Sequence, residues 1–102
     1  MYKVKHFING KQQSNSNEKI DIYNPTTGDK VGNVFCADDK DFQNTIESSH
    51  NAQLEWSKVT PLKRSRIISK FQSLIEKNIE NLAKIVSSEH GKTLDDAKGS
   101  VI

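Results

Sequence analysis

Ile20-Asp21-Ile22-Tyr23-Asn24-Pro25-Thr26-Thr27-Gly28-Asp29-Lys30-Val31 sets an alternating stretch, a turn and the start of a second apolar stretch end to end. Ile20 and Ile22 alternate with Asp21 and Tyr23, the period-two pattern of a half-buried strand. In the turn, Pro25 presets φ and Gly28 accepts a left-handed backbone, so the chain reverses and Val31 to Cys36 returns as a partner strand. Upstream, Lys3 to Ile8 reads as a strand ending at Asn9-Gly10, the dipeptide suited to the two positive φ angles of a type I′ hairpin. Lys11 to Ser14 follows as the return strand, an edge because it lacks apolar residues, and Ser14-Asn15-Ser16-Asn17-Glu18 is a polar loop. Residues 1–36 are therefore expected to form two short antiparallel β-hairpins.

At Ala37 the period changes. Asp38 or Asp39 caps a helix over 38–57, whose inward face is expected to carry Phe42, Thr45, Ile46, Ser49, Ala52 and Trp56. Thr60 is an N-cap and Pro61 sits at the first helical position, where its missing N–H costs nothing. Leu62, Ile67, Ile68, Phe71, Leu74 and Ile75 make one apolar stripe; Ile79, Leu82, Ala83, Ile85 and Val86 make another; Gly91 ends the run. A break near Asn78 divides 61–91 into two helices. Leu94, Ala97 and Val101 have the spacing of a further helix with Asp95 and Asp96 in its first turn, and 94–102 reads as the start of a truncated helix with no stop signal. The fold expected is an α+β fragment, two hairpins followed by three to four helices, within a single incomplete domain over 1–102.

Composition sets the outer bounds. Of 102 residues, 25 are Ile, Leu, Val or Phe, enough for folding but low for a complete core, and the formal net charge is +2. No apolar run reaches membrane-span length, and no apolar stretch follows the lysines of Met1-Tyr2-Lys3-Val4-Lys5-His6. With one cysteine and no leader, the expected location is the cytoplasm.

The chemistry-bearing residues each have a plainer explanation. Cys36 ends an apolar strand pattern without a nearby His or cation, which fits a buried structural thiol better than a nucleophile. His6, His50 and His90 lack metal-ligand spacing, and Asp38, Asp39 and Asp41 are simplest as a capped helix start. Gly28 and Gly32 are followed by no Gly-Lys-Ser/Thr, and no G-x-G-x-x-G occurs. Between Pro61 and Lys92, seven Lys and Arg (Lys63, Arg64, Arg66, Lys70, Lys77, Lys84, Lys92) stand against Glu76, Glu80 and Glu89, a local excess of +4. Aromatic residues do not interleave with them, so a solvated face or a salt-bridged interface explains the excess better than a nucleic-acid site. The residues by themselves assemble no catalytic, cofactor-binding or metal constellation.

The ordered string His6-Phe7-Ile8-Asn9-Gly10-Lys11, then Ile22-Tyr23-Asn24-Pro25-Thr26-Thr27-Gly28-Asp29-Lys30-Val31-Gly32-Asn33-Val34, resembles the opening of the aldehyde dehydrogenase superfamily. Trp56, Pro61, Arg64, Arg66-Ile67 and Glu89-His90-Gly91-Lys92 follow at matching distances, and the likeness runs from about His6 to Val101. Leu62 to Gln72 and Glu89 to Val101 most resemble the methylmalonate-semialdehyde branch. Ser100 departs from the pattern, standing where an acidic residue is usual, as does Phe35-Cys36, where proline is general.

The resemblance implies the N-terminal part of a Rossmann-like coenzyme-binding domain. It also implies oxidation of an aldehyde with NAD through a cysteine thiohemiacetal and a thioester, which the acylating branch passes to coenzyme A (CoA) with loss of carbon dioxide. The nucleophile, oxyanion donors and cofactor site fall beyond the point matching Ile102, and Cys36 does not match the catalytic position. The chain alone is therefore expected to be inactive and to bind neither NAD nor CoA. Its expected partners are the rest of the dehydrogenase chain or its own copies, in a homo-oligomer, with no nucleic acid and no membrane. A stand-alone interaction module, or the remnant of a degenerate gene, is the alternative; a basic-helix nucleic-acid binder comes third.

Overall fold

The computed structural model describes residues 1–102, with five strands, β1 (Tyr2–Val4), β2 (His6–Ile8), β3 (Lys11–Gln13), β4 (Lys19–Tyr23) and β5 (Lys30–Phe35). Four helices follow: α1 (Asp39–Trp56), α2 (Pro61–Lys77), α3 (Ile79–His90) and α4 (Leu94–Val101). The chain divides into two compact units, one of residues 1–23 and 29–58, the other of residues 24–28 and 59–102.

In the first unit β2 and β3 form the hairpin that Asn9-Gly10 predicts, with Ile8 opposite Lys11 and φ of 52° and 74° at the two turn residues. β4 and β5 pair antiparallel from Lys19↔Phe35 to Tyr23↔Lys30, with an irregularity between Ile22 and Tyr23. The pairing is nonetheless mixed rather than two hairpins alone. Lys3 to Ile8 is not one strand: it breaks at Lys5, and β1 runs parallel to β5 (Tyr2↔Gly32, Val4↔Val34) in a sheet of order β1-β5-β4. Gly32 permits this, because a Cβ there would fall on the Tyr2 carbonyl oxygen. As the central strand, β5 holds the buried Gly32 and Phe35.

Asp38 starts α1 with a capping box: its carboxylate accepts the Asp41 N–H at 2.8 Å, and the Asp41 carboxylate accepts the Asp38 N–H at 3.3 Å. The face of α1 expected to turn inward is uncovered instead, with Phe42 59% and Ile46 52% exposed. Periodicity reveals that a face is apolar, not that anything covers it.

In the second unit Thr60 caps α2 by accepting the Lys63 N–H, with Pro61 at the first helical position. Asn78 ends α2 and opens α3: its N–H reaches the Leu74 and Ile75 carbonyls, while its own carbonyl accepts the Leu82 N–H at 2.9 Å. α3 closes on Gly91 at φ 79°, whose N–H returns to the Ser87 carbonyl at 2.8 Å. Thr93, not singled out from sequence, caps α4 by accepting the Asp96 N–H. α3 and α4 pack closely because Ala83 and Ala97, both fully buried, hold no side chain beyond Cβ. Glu80 and Lys98 add an ion pair of 2.8 Å.

The turn of residues 24–28 belongs to this second unit. Asn24 Oδ1 accepts the Thr26 N–H at 2.8 Å, the Gly28 N–H donates to the Asn24 carbonyl at 2.8 Å, and the Pro25 ring lies against Gly91. The Asn24–Gly28 and Glu89–Lys92 strings, far apart in sequence, thus meet at Pro25 and Gly91.

Candidate functional site

Cys36 follows β5, half-buried, its N–H donated to the Glu18 carbonyl at 2.8 Å. Its neighbour Phe35 is the residue engaged by cations, with Lys19 Nζ 4.9 Å and Lys5 Nζ 5.5 Å from the ring centroid. His50 is exposed on α1 and His90 is exposed at the end of α3. His6, on β2, comes within 3.6 Å of the Asp41 carboxylate, a pairing across 35 positions that no local pattern signals. That distance exceeds a hydrogen bond, and the buried His6 Nε2 has no hydrogen-bond partner. No group of three or more His, Cys, Asp or Glu side chains could hold a metal ion.

The acidic group at the start of α1 does structural work. Besides the capping box, Asp41 Oδ1 accepts the Asn15 N–H at 2.9 Å and Asp38 Oδ2 accepts Asn15 Nδ2 at 2.7 Å. The Asp41 N–H, and after it the Asn15 amide, hold the Asp38 carboxyl below the ordinary carboxylate range. Asp41 is buried because these donors replace its water. Of the two glycines questioned in sequence, Gly28 donates its N–H to the Asn24 carbonyl, and a Cβ at Gly32 would fall on the Tyr2 carbonyl oxygen.

The larger feature is apolar surface. Only Phe35, Ala83 and Ala97 are buried hydrophobic residues. On α2, Ile67 (53%), Ile68 (60%), Phe71 (59%) and Leu74 (49%) stay open to solvent. At ~100° per residue these side chains and the half-buried Ile75 share one stripe, from which Leu62 departs to the opposite side. Phe71 lines two adjoining grooves, one of about 440 Å³ with Leu74, Asn78 and Leu82, the other of about 320 Å³ with Ile68, Ile79, Val101 and Ile102. The chain as a whole exposes 8090 Å². A self-contained monomer of 11.5 kDa exposes about 5,800 Å², and two free-standing units of half that mass about 7,000 Å² together. By either measure the chain leaves bare about 1,000 Å² or more that a finished fold would cover.

Residues 11–102 match the aldehyde dehydrogenase family. The malonate-semialdehyde dehydrogenase of Pseudomonas aeruginosa is 36% identical over 96 residues, 94% of this chain and 19% of that protein. The acylating mitochondrial methylmalonate-semialdehyde/malonate-semialdehyde dehydrogenase of Homo sapiens is 38% identical over 99 residues, 96% of this chain and 18% of that protein. Among solved structures, a Sinorhizobium meliloti protein assigned as a methylmalonate-semialdehyde dehydrogenase and complexed with NAD superposes with a TM-score of 0.94 at 43% identity, over 97% of this chain and 20% of the other. The methylmalonate-semialdehyde dehydrogenase of Oceanimonas doudoroffii superposes with a TM-score of 0.95 at 29% identity, over 99% of this chain and 21% of that one. The chain spans about one fifth of the length of the relatives it matches.

Proposed function

Because the chain belongs to the aldehyde dehydrogenase family, we propose that it is the N-terminal portion of an NAD-dependent semialdehyde dehydrogenase of the malonate and methylmalonate type. The observation that carries this reading is identity of 36% and 38% to two semialdehyde dehydrogenases over nearly the whole chain. The enzyme oxidises a semialdehyde, transfers the acyl group to CoA and works as a homo-oligomer in the cytoplasm. NAD, when bound, accepts the hydride.

No step of that chemistry is assigned to these 102 residues. The Gly28 N–H is spent on the Asn24 carbonyl, and Cys36 does not match the family's catalytic position, which supports the reading that thiolate, oxyanion donors and cofactor site belong to the remaining polypeptide. The portion described builds one end of the coenzyme-binding domain. Its bare α1 and α2 faces are seats for the rest of that domain, which accounts for a surface larger than 11.5 kDa requires.

The test is the native protein, captured from its source cell with an antibody raised against this chain. A product several times heavier than 11.5 kDa that reduces NAD with malonate semialdehyde and CoA is expected. A product near 11.5 kDa without activity would sink the reading and select the stand-alone interaction module, which the same bare faces favour.

A further inference from the structure

The stripe on α2 has a charged margin. Lys63, Lys70 and Lys77 recur every seven residues, so on a helix they fall in one row, drifting only ~20° per step, along the side of the stripe formed by Ile67 and Leu74. All three are exposed, and none takes part in the lysine–carboxylate ion pairs of the chain, which join Lys30 to Asp21, Lys58 to Glu55 and Lys98 to Glu80. The opposite margin holds Ser65, Gln72 and Glu76.

We propose that the α2 face seats an apolar segment of the dehydrogenase's own remaining polypeptide whose margin carries carboxylates facing Lys63, Lys70 and Lys77. This rests on the reading of the chain as one portion of a longer enzyme, since relatives are about five times its length. Charge selects this occupant over a second copy. In an antiparallel isologous pair the lysine row meets its own equivalent, and in a parallel pair it meets the Ser65, Gln72 and Glu76 margin, so a second copy brings at most one carboxylate, that of Glu76, to the three lysines. A nucleic acid would satisfy the lysines but leave Ile67, Phe71 and Leu74 against a polyanion. An acidic-edged apolar segment satisfies both parts: the stripe sets the lifetime of the contact, the lysine row its rate of formation and its register.

The test pairs the 102-residue chain with two fluorescent amphipathic helical peptides about three heptads long. Both carry leucine along one face; one has glutamate along the margins, its twin lysine. At low salt the glutamate peptide is expected to bind at least about tenfold tighter, mainly through faster association, with the preference shrinking as salt rises. The triple substitution Lys63→Glu, Lys70→Glu, Lys77→Glu should reverse the preference, and Phe71→Asp should abolish binding of both peptides; circular dichroism checks that each variant keeps its helices. Equal binding of the two peptides, displacement of the glutamate peptide by duplex DNA, or a stable dimer that excludes both peptides would overturn the proposal. A native product no heavier than 11.5 kDa would instead sink the reading of the chain, and with it the occupant's identity, even where the peptide preference holds.

Discussion

Replacing Gly91 with Ala adds one methyl group where α3 ends at φ 79°. An L-residue held in that left-handed region costs about 1–2 kcal/mol. The new Cβ would stand 3.3 Å from Pro25 Cγ and 3.7 Å from Pro25 Cβ, so the ring must give by a few tenths of an ångström, adding about 1 kcal/mol. Against this, Ala narrows the unfolded ensemble and returns about 0.5 kcal/mol. The net loss is about 2 kcal/mol, or about 8–16 °C in the melting temperature of a domain this size. Gly28 supplies the control: its φ is also 79°, but a Cβ there meets nothing within 4 Å, so Gly28→Ala should cost about 1 kcal/mol and 4–8 °C. Thermal unfolding of dilute protein, followed by far-ultraviolet circular dichroism, separates the two. Equal shifts would refute the Pro25 contact, and no shift in either variant would refute the left-handed assignments.

The remaining predictions concern pH, association and the thiol. Asp38 and Glu80 have folded pKa values below their ordinary 3.8 and 4.5, so their contributions are present above those values and lost as pH falls through the depressed ones. Lys98, held above 10.5 by Glu80, contributes fully below that pH and loses its contribution as pH rises past the raised value; acid and alkaline unfolding titrations of Asp38→Ala and Glu80→Gln, each missing its own step, check both signs. The isolated chain should self-associate reversibly through its bare apolar faces, more strongly as salt screens the lysine row, with the glutamate peptide competing at the α2 face and Phe71→Ser weakening the association; sedimentation that finds a monomer at all salt concentrations would count against it. In the longer dehydrogenase proposed above, Cys36→Ser should leave turnover within about twofold, because Cys36 does not match the family's catalytic position; loss of turnover with an intact fold would reverse that assignment.

What the sequence disclosed followed the range of each signal. Asn9-Gly10, the Thr60-Pro61 start, the Asn78 break and the Gly91 stop act over a few residues, and each lies where local stereochemistry puts it. The parallel pairing of Tyr2 with Gly32 spans 30 positions and depends on an absent Cβ, and the approach of His6 to Asp41 spans 35, so neither has a local signature. The apolar faces of α1 and α2 were visible as patterns. The α1 face is expected to turn inward, yet Phe42 stays open to solvent, whereas the α2 stripe that holds Phe71 is too wide for the short strands to bury and is exposed as its pattern implies.

The Pro25–Gly91 contact also sets an order of events during synthesis. The turn of residues 24–28 leaves the ribosome with its two strands, yet the helix end it rests on is made 66 residues later. At ~5–20 residues per second that is a delay of roughly 3–13 s. During it the hairpin can form on its own hydrogen bonds while Pro25 stays in water. The turn waits as a preformed half of a clasp, and translation of Glu89-His90-Gly91 is the moment at which the clasp can close.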